Sequence, residues 1–91
     1  MPDTHHETAY FTGHVQGVGF RYTALQVARE FEVAGIVANL PDGRVLLEAE
    51  GAPEEVDAFI RAVHERMHGH VRKVDRFTDK RTRQFGGFSI Q

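Results

Sequence analysis

The sequence predicts a single α+β domain of the split β-α-β type: a βαββαβ order, an antiparallel sheet and two helices on one face. Three observations carry that expectation. Two segments repeat their apolar residues at three- and four-residue spacing, as amphipathic helices do. Between them lies a Pro-Asp-Gly turn flanked by β-prone runs. Each helix is bracketed by short extended segments, which gives two β-α-β halves of similar length within 91 residues.

The polar residues 1–7, M-P-D-T-H-H-E, are expected to form a flexible N-terminus, with one domain over 8–91. Residues 8–14, T-A-Y-F-T-G-H, are short and aromatic and read as the first strand. From Tyr22 to Glu32, Ala24, Leu25, Ala28 and Phe31 recur at helical spacing, and Gly35 ends the pattern. Residues 35–40, G-I-V-A-N-L, read as a second strand. Pro41-Asp42-Gly43 turns the chain, and 44–50 alternates as a third strand in a hairpin with the second. The second helix starts at Pro53, with Glu54 and Glu55 at its positive end. Val56, Phe59, Ile60, Val63 and Met67 form its apolar stripe, and Gly69 closes it. A fourth strand is expected over about 73–79, and Phe88-Ser89-Ile90 as a short last one after Gly86-Gly87.

Composition narrows the function classes. Hydrophobic residues make up 41% and charged residues 26%, as in ordinary globular proteins. There is no Cys, which removes disulfides, thiolate metal sites and a thiol nucleophile, and puts the expected location in the cytoplasm. No apolar run is long enough to span a bilayer, and the N-terminus lacks the pattern of a signal peptide. A net charge of −2 argues against a general nucleic-acid binder. The third strand, R-V-L-L-E-A-E, also lacks the stacked aromatics of an RNA-recognition sheet. Charge is unevenly spread, however. Residues 61–83 hold eight basic residues against three acids, which reads either as a solvated helix end and strand or as an anion-attracting surface.

One stretch stands out. Residues 13–21 read G-H-V-Q-G-V-G-F-R, between the first strand and the first helix. Gly17 and Gly19 permit the dihedral angles that a nest of backbone amides needs, and a helix N-terminus favours anions. Arg21 adds a planar guanidinium that can grip two phosphate oxygens. On this logic alone the stretch is either a phosphate cradle or a tight strand-to-helix turn with an incidental Arg. It is neither a dinucleotide fingerprint nor a P-loop, because the glycine spacing differs and no Gly-Lys-Ser/Thr follows. Asn39 is the second polar feature. Asn is poor in strands, so it either bonds its own turn or orients a water or substrate oxygen.

These residues resemble a known family. Gly13-His14-Val15-Gln16-Gly17-Val18-Gly19-Phe20-Arg21 is similar to the acylphosphatase signature G-x-V-Q-G-V-x-F-R. Gly35 to Val45, with Gly51 beyond, resembles that family's second signature, one helix later. The similarity runs from about Thr8 to Ile90. It implies a ferredoxin-like α/β sandwich that hydrolyses the carboxyl-phosphate anhydride of acyl phosphates. It implies that Arg21 and the backbone amides of Gln16, Gly17, Val18, Gly19 and Phe20 bind the phosphate, and that Asn39 orients the attacking water. Inorganic phosphate is then product and inhibitor, the substrate is a small molecule, and no cofactor or metal is expected. Two positions depart from the common pattern: Ile36, where many members carry an aromatic residue, and Ala38, where many carry a base. No motif selects the acyl group, so broad specificity is the expectation.

Other constellations are weaker. His64 and His68 have a spacing that could bind zinc, but no motif supplies a third ligand, so they read as helix-end histidines. His14 lies within the first signature but takes no catalytic role. A domain of this size is expected to be a monomer. The alternatives are a degenerate module that binds anions without turnover, and a structural domain with no anion site.

Overall fold

The structure is a computed structural model and describes residues 3–91. Seven elements follow in the order β1 (Thr4–Gly13), α1 (Phe20–Ala28), β2 (Val33–Asn39), β3 (Val45–Gly51), α2 (Pro53–Arg66), β4 (Val71–Arg81) and β5 (Phe88–Ile90). The five strands form one sheet in the order β4-β1-β3-β2-β5. β3 lies between β1 and β2, which is the split that the βαββαβ order predicts. The β1–β3, β1–β4 and β2–β3 pairs are antiparallel. β5 runs parallel to β2, with Gly35 opposite Phe88 and Val37 opposite Ile90, so the sheet is mixed.

The core explains this arrangement. Ala9 and Phe11 of β1, Val37 of β2, and Val45, Leu47 and Ala49 of β3 are fully buried on one sheet face. The side chains of a strand alternate between faces, so these odd-numbered positions share the helix-covered side. Phe20, Ala24 and Val27 of α1 and Val56, Phe59, Ile60 and Val63 of α2 close over them. Phe11 meets Phe20 with ring centroids 4.9 Å apart, and Phe59 meets Phe88 edge-on at 5.3 Å. No described helix is long and apolar enough to cross a membrane.

The largest differences from the expected boundaries are three. β1 begins at Thr4, not Thr8, so a flexible segment over 1–7 does not describe residues 4–7; Met1 and Pro2 lie outside the described residues. The reason is charge pairing. His6 is buried between Glu48 and Asp79, at 2.9 Å from Glu48 Oε1, and the buried Glu7 carboxylate takes a two-pronged hydrogen bond from Arg76. α1 ends at Ala28, not Glu32. Glu30 and Phe31 close the helix with bonds to carbonyls three residues back, and the Glu32 N–H goes to the Glu55 carboxylate at 2.8 Å. β4 extends over Val71–Arg81 because β1 pairs with it along nearly its whole length. It alternates poorly because it is an edge strand. Arg76 takes a helix-side position there and is held by Glu7 and by Asp57 of α2.

Candidate active site

The site lies where β1 hands the chain to α1. Gly17 and Gly19 have φ of +77° and +80°, the left-handed region that other residues rarely adopt. A Cβ at either position would meet nothing within 4 Å, so backbone conformation alone requires glycine there. Gly19 caps α1 without any side-chain hydrogen bond, and the first turn holds no acidic residue. The positive end of this helix is therefore left open. α2 differs: Glu54 and Glu55 occupy its first turn. Among the described residues, none of the backbone N–H groups from Gln16 to Phe20 donates to a protein acceptor. That leaves five successive backbone donors beside an uncapped helix end.

A cavity of about 230 Å³ opens over this loop, lined by Val15, Gly17, Gly19, Phe20, Arg21, Tyr22, Asn39 and Ile90. Arg21, Asn39 and the two left-handed glycines thus share one cavity, although β2 brings Asn39 from 18 residues beyond Arg21. Asn39 ends β2 opposite Val45 and is exposed. The half-buried Arg21 donates from Nη1 to the backbone oxygen of Gln91 at 3.3 Å, while the Gln91 N–H donates to Val37 O at 2.8 Å. The last residues of the sequence thereby hold the guanidinium beside β2.

Gln16 and Val18 are not among the residues that line the cavity. The Gln16 side chain turns to the β2–β3 hairpin and donates to Leu40 O at 2.8 Å and Arg44 O at 3.0 Å. It ties the glycine loop to the strand end that carries Asn39. Val18 packs against the core. Tyr22, Ile90 and the Gln91 backbone have no counterpart in the sequence reading. Tyr22 could have been suspected as a large aromatic outside the apolar stripe of its helix; the role of Gln91 depends on pairing and leaves no local mark.

The two departures from the signature lie off the site face. Ile36 and Ala38 alternate with Val37 and Asn39 and so occupy the uncovered side of the sheet. The basic segment is largely neutralised: Arg61 pairs with Asp57, Arg66 with Glu30, Lys73 with Asp75, Arg76 with Glu7 and Asp57, and Arg81 with Glu50. These pairs favour a solvated charged surface over an anion-attracting one. His64 rests edge-on against Phe11 at 6.0 Å, and the exposed His68 bonds Glu65 O. Among the described residues no group of three or more His, Cys, Asp or Glu side chains is placed to hold a metal. A second cleft of about 260 Å³, at the opposite end of the strands around Thr4, Val33, Gly51 and Arg83, contains none of the signature loop residues.

The acylphosphatase family model matches residues 7–90. The chain belongs to the acylphosphatase family. An acylphosphatase of Paenarthrobacter aurescens is 43% identical over 84 residues, covering 91% of this chain and 89% of the relative. One of Archaeoglobus fulgidus is 54% identical over 54 residues, a match that spans 59% of this chain and 61% of that relative. The crystal structure of the acylphosphatase from Bacillus subtilis is similar with a TM-score of 0.85 and 30% identity, over 96% of this chain and 98% of that one. The sandwich described above is therefore the ferredoxin-like fold of acylphosphatases, and the chain is an enzyme of that family.

Proposed function

We propose that this chain hydrolyses acyl phosphates to a carboxylate and inorganic phosphate in the cavity between the glycine loop and Asn39. The observation that carries the reading is the convergence of Arg21, Asn39 and the two left-handed glycines on one cavity beside an uncapped helix N-terminus. The amides of Gln16 to Phe20 and the Arg21 guanidinium hold the phosphoryl oxygens and offset the charge that builds on them. Asn39 accepts a hydrogen bond from a water and aligns its oxygen with phosphorus. The water attacks, the bond from phosphorus to the carboxylate oxygen breaks, and the carboxylate leaves. Among the described residues no Asp, Glu, His or Cys lines the cavity, so no side-chain base is at hand. The water proton passes to a phosphoryl oxygen of the substrate. A carboxylate is a good leaving group, so positioning and charge stabilisation are sufficient.

Benzoyl phosphate hydrolysis by the purified protein, beside Arg21→Ala and Asn39→Ala, tests the assignment. Arg21→Ala is expected to lower kcat by about a thousandfold, as removal of a charge-stabilising Arg does in phosphoryl transfer. Asn39→Ala is expected to lose about a hundredfold in kcat, with inorganic phosphate still inhibiting competitively. Full activity in a folded Arg21→Ala protein would sink the proposal. Phosphate binding with no turnover of any acyl phosphate would make the loop an anion-binding module.

A further inference from the structure

We infer that Tyr22 and Ile90 form an apolar shelf that receives the acyl group, so that the enzyme favours substrates with an aromatic or bulky apolar acyl group over short ones. This rests on the reading of the cavity as an acyl-phosphate site. Among the described residues only three large apolar side chains are exposed: Tyr22 at 61%, Phe77 at 60% and Ile90 at 39%. Apolar side chains exposed singly need no explanation, but two of these three line one cavity, and it is the cavity of Arg21 and Asn39.

Their placement follows from the Arg21 anchor. Tyr22 is the next residue along α1, and Ile90 precedes Gln91, whose backbone oxygen receives the Arg21 hydrogen bond. The two side chains thus line the cavity together with Arg21, one from the helix and one from β5. Val15 and Phe20, both almost fully buried, supply the apolar floor. An acyl phosphate gripped by its phosphate extends its acyl end from the Arg21 side of the cradle. A phenyl ring there covers the exposed apolar surface of Tyr22 and Ile90, whereas an acetyl methyl group covers little of it. Removing that surface from water favours the larger group. The rest of the cavity lining, two glycines and Asn39, offers no charge to select a charged acyl group.

The experiment measures kcat and KM for benzoyl phosphate and acetyl phosphate in the parent protein, Tyr22→Ser, Tyr22→Phe, Ile90→Ser and, as a control on the distant β4, Phe77→Ser. The parent is expected to prefer benzoyl phosphate in kcat/KM. Tyr22→Ser is expected to cut the benzoyl-to-acetyl ratio about tenfold, mainly through KM for benzoyl phosphate. Ile90→Ser shifts the ratio in the same direction by a smaller factor and serves equally should Tyr22→Ser fail to fold. Tyr22→Phe keeps the ratio, and Phe77→Ser keeps both ratio and rates. Equal losses for the two substrates, or an unchanged ratio in both Ser variants, would overturn the shelf and leave the hydrolytic reading standing. Turnover of neither substrate by the parent would overturn that reading, and the shelf with it.

Discussion

At Gly19 and Gly35 the same substitution by Ala fails for different reasons. Gly19 sits at φ +80° with open space around a Cβ, so Ala there meets only the backbone penalty of the left-handed region, about 1–2 kcal/mol. Gly35 adopts no such conformation, but a Cβ would lie 1.8 Å from Glu48 O on the neighbouring strand. Ala at that position must push β2 off β3, and it also disturbs the N–H that bonds Gly87 O at 2.9 Å and tethers β5. The expected loss is about 3 kcal/mol. Urea unfolding of both variants with paired phosphate titrations checks the contrast. Gly19→Ala should weaken phosphate binding out of proportion to its loss of stability, and Gly35→Ala should do the reverse. Gly19 falls at a variable position of the first signature and Gly35 opens the second, yet spacing does not reveal that backbone conformation favours glycine at one and close strand packing at the other. Gln16 is similar: its position in the loop suggested a backbone role, and its side chain proves to be the tie to the hairpin.

Among the elements, those whose apolar residues fall on one face with a clear period were legible. The stripe of α2 and the Pro-Asp-Gly hairpin stand where the sequence puts them, because local periodicity and turn chemistry agree with burial. The start of β1 and the extent of β4 were not legible. Their residues are polar, and they are held in register by partners far along the chain: His6 by Glu48 and Asp79, Glu7 by Arg76. The segment after β4 is held in the same manner. The buried Glu50 carboxylate accepts the backbone N–H groups of Gln84 and Phe85, each at 3.0 Å, and Arg81 Nε at 3.2 Å. Burial works against its charge, but the Phe85 and Gln84 N–H groups and the Arg81 guanidinium outweigh it and hold its pKa below the ordinary value. A depressed carboxylate pKa gives stability that is fully present above the unfolded pKa and is lost as pH falls through the folded one. Glu50→Gln is therefore expected to lose about 1–3 kcal/mol at neutral pH. Its deficit against the parent should shrink as pH drops below about 4.3. Urea midpoints at neutral and acid pH measure this, and a deficit that persists unchanged in acid would count against the carboxylate.

For the whole molecule, the sheet gathers at one end what the chain keeps apart. The glycine loop, the end of β2 and the last residues of β5 meet because β3 lies between β1 and β2 and β5 adds to the far edge. The β-α-β order made the first two of these neighbours in advance; the third required β5 to pair parallel to β2, which three residues of sequence do not announce. The charge distribution follows a related logic. Most of the basic residues of α2 and β4 are paired with acidic side chains, while Arg21, among the described residues, pairs with no Asp or Glu side chain and donates to the Gln91 backbone oxygen. An anion should therefore bind at Arg21 in preference to the more basic half of the sequence, and bind only the folded state. At a phosphate concentration ten times its Kd, such binding adds about 1.4 kcal/mol. For a domain of this size that raises Tm by roughly 5–10 °C. Thermal unfolding in increasing inorganic phosphate, at constant ionic strength, should show this rise in the parent and lose most of it in Arg21→Ala. Arg72→Ala, which changes an exposed Arg of β4, should keep it. An equal loss of the rise in both variants would make the effect one of general charge and not of the cradle.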